Sequence, residues 1–411
     1  MPRPSPMNAS RRRFLIGAGA LAGTAAIPNA LFACTGGSSR LVVVILRGAL
    51  DGLAAAPPFG DPNYISLHRE LAIAAPGGPD GALALNNTFG LHPSLSFLHE
   101  RFAAGELVVF HAVASPYRDR SHFDGQNVLE NGLSKPIGTA DGWLNRALAA
   151  LPRRKGQADR AVAISQNVPL ILRGEAAVMS KSPQATPDVD EDLLARLADL
   201  YSQDDWFSAR LSEAVQTEKM MDGAADLGAN TAGSVGAGYP DRVGAVARMA
   251  SELMRSDGGP EIAVIEAGGW DTHANQGGAK GLLAARLGGL DRGLKSLADG
   301  LGPLWPQTAV LVVTEFGRTA AVNGTRGTDH ETGGCAFLVG GAVRGGQVVT
   351  DWPSLSRRAL LDNRDLLPTL DLRSVFKAVL DAHMHVDANT LAKRVFPDSS
   401  GARPLQGLIR A

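Results

Sequence analysis

The chain has 411 residues and a formal net charge of −1 with histidines neutral, so it can bury a large core and lacks the broad basic field that holds nucleic acid. Aromatic residues make up only 5% of the chain against 48 glycines, a balance that suits helices packed closely on a sheet rather than an aromatic-rich sandwich. Length alone permits two or three domains, but nothing in the sequence forces more than one.

Ser10-Arg11-Arg12-Arg13-Phe14-Leu15 opens an apolar, small-residue stretch from Phe14 to Ala33. A charged start followed by a modest apolar region matches a twin-arginine export signal over residues 1–34, with the twin-arginine translocase as the partner during export. That pathway carries proteins already folded, often with a metal loaded. Gly17, Gly19, Gly23 and Pro28 make the same stretch a poor spanning helix, so no membrane span is expected in the mature chain, which would work in the periplasm or outside the cell. Two readings of Leu31-Phe32-Ala33-Cys34 stay open: plain cleavage after Ala33, or acylation of Cys34 at a lipoprotein box, which would leave a lipid anchor. With Cys34 removed or acylated, only Cys335 remains and no disulfide forms within the mature chain.

Residues 35–411 read as a single α/β domain. Leu41 to Leu46 is a continuous β-branched run, the pattern of a buried central strand, and it ends in a glycine turn that carries Asp51. Asp61 to Gly90 is rich in proline, glycine and asparagine and reads as a surface excursion. Pro93 is expected to start a helix with Leu95, Leu98 and Phe102 on one face, before a strand over Leu107 to Val113. Ser121 and Asp124 have the spacing of a capping box, which predicts a helix from Ser121 towards Glu130. Ala161 to Ile164 and Leu170 to Leu172 look like short strands around Pro169. Residues 187–221 show a helical pattern, residues 223–238 read as a flexible loop, and Pro240 to Arg255 is again helical. Leu283, Leu287, Leu290, Leu294, Leu297 and Leu301 form one stripe, expected to pack on a sheet because Gly288, Gly289 and Gly293 make a poor free-standing helix. Leu311 to Val313 and Phe337 to Val339 add strands, and Arg373 to Ala382 a late helix. This alternation calls for a mostly parallel central sheet flanked by helices on both faces.

Three clusters of acids and histidines fall beside apolar runs. Asp271 and His273 follow Ile262 to Ile265, Glu315 follows Ala309 to Val313, and Asp329 and His330 precede Ala336 to Val339. Any one of these acids, like Asp51, could merely cap a helix or hold a turn. Their joint placement at strand ends points to one shared site. Carboxylates with two imidazoles favour zinc, manganese or iron as the divalent metal, whereas an all-oxygen set would take calcium or magnesium. Asp51, Asp271, His273, Glu315, Asp329 and His330 are the candidate ligands.

The arginine pair, the strand ending Leu46-Arg47-Gly48-Ala49-Leu50-Asp51-Gly52-Leu53, Arg120-Ser121-His122-Phe123-Asp124, Gly269-Trp270-Asp271-Thr272-His273, Thr314-Glu315-Phe316-Gly317-Arg318 and Asp329-His330 together resemble the bacterial domain-of-unknown-function 1501 family. The resemblance runs from about Leu41 to Pro397, and that family is in turn similar to the alkaline phosphatase and sulfatase superfamily. It implies an alkaline-phosphatase-like fold and hydrolysis or transfer of small anionic phosphate or sulfate esters at one or two metal ions. It further implies Asp51 as the first ligand, Asp271, His273 and His330 as one metal site, and Asp51 with Glu315 as a second. Ser121 would stand at the nucleophile's place, at a helix N-terminus, with Arg47, Arg120 and Arg318 as clamps for the ester oxygens. A secreted scaffold or binding protein with a structural cation is the competing expectation. A dinucleotide-dependent oxidoreductase is disfavoured, because no Gly-x-Gly-x-x-Gly follows the first strand.

Overall fold

The structure, a computed structural model, describes residues 39–152, 159–182, 204, 209–210 and 239–410. The export signal, Cys34, most of the helical pattern at 187–221 and the loop expected at 223–238 lie outside the described residues.

Its centre is β1 (Arg40–Leu46), in which every residue after Arg40 is buried. The run Leu41 to Ile45 sends alternate side chains to opposite faces, and both faces are covered. Val42, Val44 and Leu46 pack with the leucine stripe, whereas Leu41, Val43 and Ile45 pack with Trp143, Val375, Phe376 and Val379. A strand apolar on both faces has nowhere to sit but the middle of a helix-covered sheet.

Around it lie β4 (Leu107–Ala114), β5 (Ala161–Ile164), β6 (Met179–Ser180), β7 (Ile262–Ala267), β8 (Thr308–Thr314), β9 (Gly334–Val339), β10 (Gln347–Val349) and β11 (Leu370–Asp371). The order across the sheet is β10-β4-β9-β8-β1-β7-β5-β6, with β11 beside β4. Only the pairings of β9 with β4 and with β8 are antiparallel; every other pair in this sheet is parallel. The α/β class with a mostly parallel sheet and helices on both faces is therefore what the chain adopts. Because β9 runs against its neighbours, its N-terminal end shares one sheet edge with the C-terminal ends of β1, β4, β7 and β8. All the acid and histidine clusters emerge at that edge.

The described helices are α1 (Gly52–Ala55), α2 (Tyr64–His68), α3 (Ser96–Ala103), α4 (His122–Asn131), α5 (Trp143–Ala150), α6 (Tyr239–Arg255), α7 (Leu282–Leu301), α8 (Leu372–Ala382) and α9 (Ala388–Thr390). All six leucines of the α7 stripe are buried, each contributing roughly 1.5–3 kcal/mol. Helix α6 packs along α7, and Gly293 permits the approach, since a Cβ there would lie 2.5 Å from Val243 Cγ1.

Three expectations are corrected. Leu170–Leu172 forms a 3₁₀ turn, not a strand, and Ile171 N donates to Glu130 rather than to a neighbouring strand. Helix α3 begins at Ser96, not at Pro93: Asp291 of α7 accepts from Phe97 N and Leu98 N at 2.9 and 3.0 Å, so the helix starts where its N–H groups meet that carboxylate. The excursion Asp61 to Gly90 is not all surface. It contains α2 and β2 (Leu83–Ala84), which pairs with β3 (Gly90–Leu91), and it buries Asp61, Tyr64 and His68.

Candidate metal centre

Parallel strands leave their C-terminal ends free to carry short loops, and here four such loops meet. After β1, Gly48 comes so close to the β7 loop that a Cβ on it would lie 2.7 Å from Asp271 N. Its φ of +117° is also one that a side chain disfavours. Trp270, fully buried, donates from Nε1 to Ala267 O, and its backbone N–H donates to Arg47 O, so the turn presenting Asp271 is fixed from both sides.

Three imidazoles gather on the Asp271 carboxylate. His273 Nε2 lies 2.9 Å and His330 Nε2 3.2 Å from Oδ1, and His122 Nε2 lies 3.4 Å from Oδ2. Each ring has its other nitrogen committed. Nδ1 of His122 donates to Glu315 Oε1 at 2.8 Å, that of His273 to Asp329 Oδ1 at 3.0 Å, and that of His330 to the Arg120 carbonyl at 3.0 Å. A neutral imidazole that donates from Nδ1 carries a bare lone pair on Nε2. All three lone pairs are then aimed at one region, and the His273 and His330 Nε2 atoms come within 2.9 Å of each other. Two bare nitrogens at that separation repel unless a cation or a proton lies between them.

This is a donor set of the kind that could hold a metal ion. His122, Asp271 and His330 hold ligand atoms within 4.8 Å of one another, and His122 Nε2 is buried with no hydrogen-bond partner. The Glu315 and Asp329 contacts are carboxylate–histidine pairs of the kind that, in metal sites, orient imidazoles and raise their basicity. The Glu315 hydrogen bond leads in raising the His122 pKa. Burial lowers that of His330, and the nearby charge of His122 adds to the effect.

The carboxylates are arranged to stay ionised. Burial opposes the charge on Glu315, but donation from His122, Gln126 and Gly48 N, together with local bonding, holds its carboxyl below the usual range. Burial likewise opposes that of Asp271, and the fully buried Arg318 guanidinium, 2.5 Å away, outweighs it.

The other expected residues lie around this centre rather than in it. Asp51 is completely buried in a separate network, accepting from Gln276 Nε2 at 2.6 Å and Ala54 N at 3.0 Å, with His68 Nε2 at 3.3 Å. Glu315 is saturated by donors. Among the described residues His122, Asp271 and His330 are the one group of three that could hold a metal ion, and neither Asp51 nor Glu315 belongs to it. The three arginines are already engaged. Arg47 is held between Glu130 and Glu266, Arg120 by Asp365, and Arg318 by Asp271 and Thr328. Ser121 takes the N-cap position of α4, but its hydroxyl makes no cap bond, so the expected capping box does not close. His122, one residue on, is the candidate ligand that sequence reasoning missed. The available signal was position, since its block follows β4 at the same sheet edge.

A family model described as "Protein of unknown function (DUF1501)" matches residues 80–395, most of the chain. The chain belongs to the DUF1501 family. Comparison with curated proteins finds no match for this DUF1501 protein. Among solved structures it is similar to Ps i-CgsB in complex with k-i-k-neocarrahexaose, at 9% identity and a TM-score of 0.43, over 90% of this chain and 77% of that one. It is also similar to the C-terminal periplasmic domain of EcEptC from Escherichia coli in complex with Zn, at 10% identity and a TM-score of 0.35, over 75% and 74% of the two chains. At these values both are distant likenesses.

Proposed function

We propose that this protein is an exported metal-dependent hydrolase of phosphate or sulfate esters. The observation that carries the reading is the convergence of three imidazole Nε2 atoms on the Asp271 carboxylate, each ring fixed through Nδ1. His122, Asp271, His273 and His330 would hold a divalent metal, and three imidazoles favour zinc, manganese or iron over calcium or magnesium. Such an ion would supply Lewis acidity, polarising an ester oxygen and lowering the pKa of a nucleophilic hydroxyl or water. Arg318 holds Asp271 in place and keeps it ionised. Ser121, next to His122 at the start of α4 with a hydroxyl that makes no cap bond, is the candidate nucleophile, where the helix N-terminus favours an anionic ester.

Elemental analysis of protein purified from its native host, followed by turnover of 4-nitrophenyl phosphate and sulfate, tests this. One bound transition metal and turnover lost in Ser121→Ala are expected. Metal-loaded protein inert towards both esters would point instead to a secreted binding protein with a structural cation. The engaged arginines, and one three-ligand group among the described residues, favour that second reading.

Export is inferred from Arg11 and Arg12. Replacing both with lysine should leave the precursor in the cytoplasmic fraction on immunoblots, and normal export of that variant would refute the assignment. Among the described residues no helix is long and apolar enough to cross a membrane.

A further inference from the structure

Beside the metal centre lies a cleft of about 310 Å³, bounded by α4, by Arg47 after β1, by Glu266 of β7 and by the segment around Pro169. Its volume is at the lower end for small-molecule sites. It shares a wall with the metal centre: Gln126 lines it while donating to Glu315, the carboxylate that orients His122.

The chemistry of the lining narrows the occupant. Arg47 donates to both Glu130 and Glu266, and Arg173 adds a second guanidinium, so two positive charges face two negative ones. A balanced lining gives no net field for a polyanion such as a nucleotide. Arg173 spends only Nε on Val168 O and Glu266 only Oε1 on Arg47, so the open charged groups are of opposite sign, and beside them lie open neutral amides. Asn127 and Asn167 line the cleft, and neither carboxamide makes a side-chain hydrogen bond among the described residues. A carboxamide offers a donor and an acceptor side by side, which matches a hydroxyl able to do both. Phe123 stands at the rim, 83% exposed. A lone exposed ring is ordinary, but one beside a cleft of uncommitted amides offers a flat apolar face for the C–H side of a sugar ring.

We infer that this cleft binds a neutral saccharide chain. Resting on the hydrolase reading, the saccharide would be the alcohol part of the ester, placed so that its ester group reaches the metal centre.

Saturation-transfer NMR on the full mature chain, with maltohexaose, cellohexaose and chitohexaose as probes, tests the inference. At least one hexaose should bind, both with metal loaded and after chelation, because the cleft itself needs no ion. Phe123→Ala and the Asn127→Ala/Asn167→Ala double variant should each weaken that binding at least about tenfold, with metal content unchanged. Binding by no hexaose, or equal binding by the variants, overturns the inference. The two readings fail separately: hexaose binding without ester turnover sinks the hydrolase and leaves the saccharide cleft, whereas ester turnover without hexaose binding does the reverse.

Discussion

At the scale of single residues, the centre depends on which nitrogen of each histidine carries the proton. Glu315, Asp329 and the Arg120 carbonyl each take an Nδ1–H, which leaves the Nε2 atoms for a cation. His122→Ala should therefore lower bound metal as much as His330→Ala, while Glu315→Gln, which keeps shape but weakens the orienting hydrogen bond, should weaken affinity about 10- to 100-fold. Asp299→Ala on exposed α7 surface is the control, and metal titration followed by elemental analysis is the readout. Equal affinity in His122→Ala and wild type would remove His122 from the ligand set. Asp271, His273 and His330 were legible because an acid and a histidine beside an apolar run mark a strand end. His122 was hidden because the spacing of Ser121 and Asp124 satisfied a capping rule, which assigned the block a local purpose it does not serve. Asp51 misled for the opposite reason. It follows the central strand as a ligand would, yet its partners His68 and Gln276 come from segments that no local pattern links to it.

At the scale of elements, long periodic segments were readable and short ones were not. The β1 run and the α7 stripe announce themselves through many residues in register, whereas the three apolar residues Leu170–Leu172 fit a strand or a turn equally well. Helix starts depend on whatever meets the free N–H groups, and for α3 that group lies 194 positions away. Asp291 is buried, and its carboxylate accepts from Phe97 N and Leu98 N, with Ser96 Oγ at 3.3 Å. Asp291→Ala leaves two N–H groups without their acceptor and should cost roughly 2 kcal/mol, seen as a lower urea midpoint with the slope unchanged. Asp291→Asn, which retains one carbonyl acceptor, should recover part of that loss. An alanine variant as stable as wild type would mean that α3 finds other partners.

At the scale of the whole molecule, the segment from Asp61 to Gly90 looked like surface because its polar, glycine-rich composition carries no period, yet it is tied to the rest of the chain by Tyr64, Asp61 and a buried pair of His68 with Asp51. His68 is fully buried: Nδ1 lies 3.1 Å from the Ala320 carbonyl and Nε2 lies 3.3 Å from Asp51, an ion-pair distance that favours the protonated ring. Burial works against both charges, and the mutual attraction prevails. The His68 pKa is raised from 6.5 and the Asp51 pKa is lowered from 3.8. The signs then fix a window. The raised histidine contributes stability that is complete below about pH 6.5 and is lost as pH climbs through its folded-state value. The lowered aspartate contributes stability present above about pH 3.8 and lost as pH falls through its own folded-state value. Removing one partner strands a buried charge, at a cost of about 3–5 kcal/mol. Urea unfolding of metal-free wild type and His68→Gln across pH 4–9 should show the largest stability gap between roughly pH 4 and 6.5, narrowing at higher pH as the wild-type imidazolium gives up its proton. A gap that stays constant across the range would mean His68 is neutral in the folded protein, packing against Tyr64, whose ring it stacks on at 5.4 Å, without an ionic contribution.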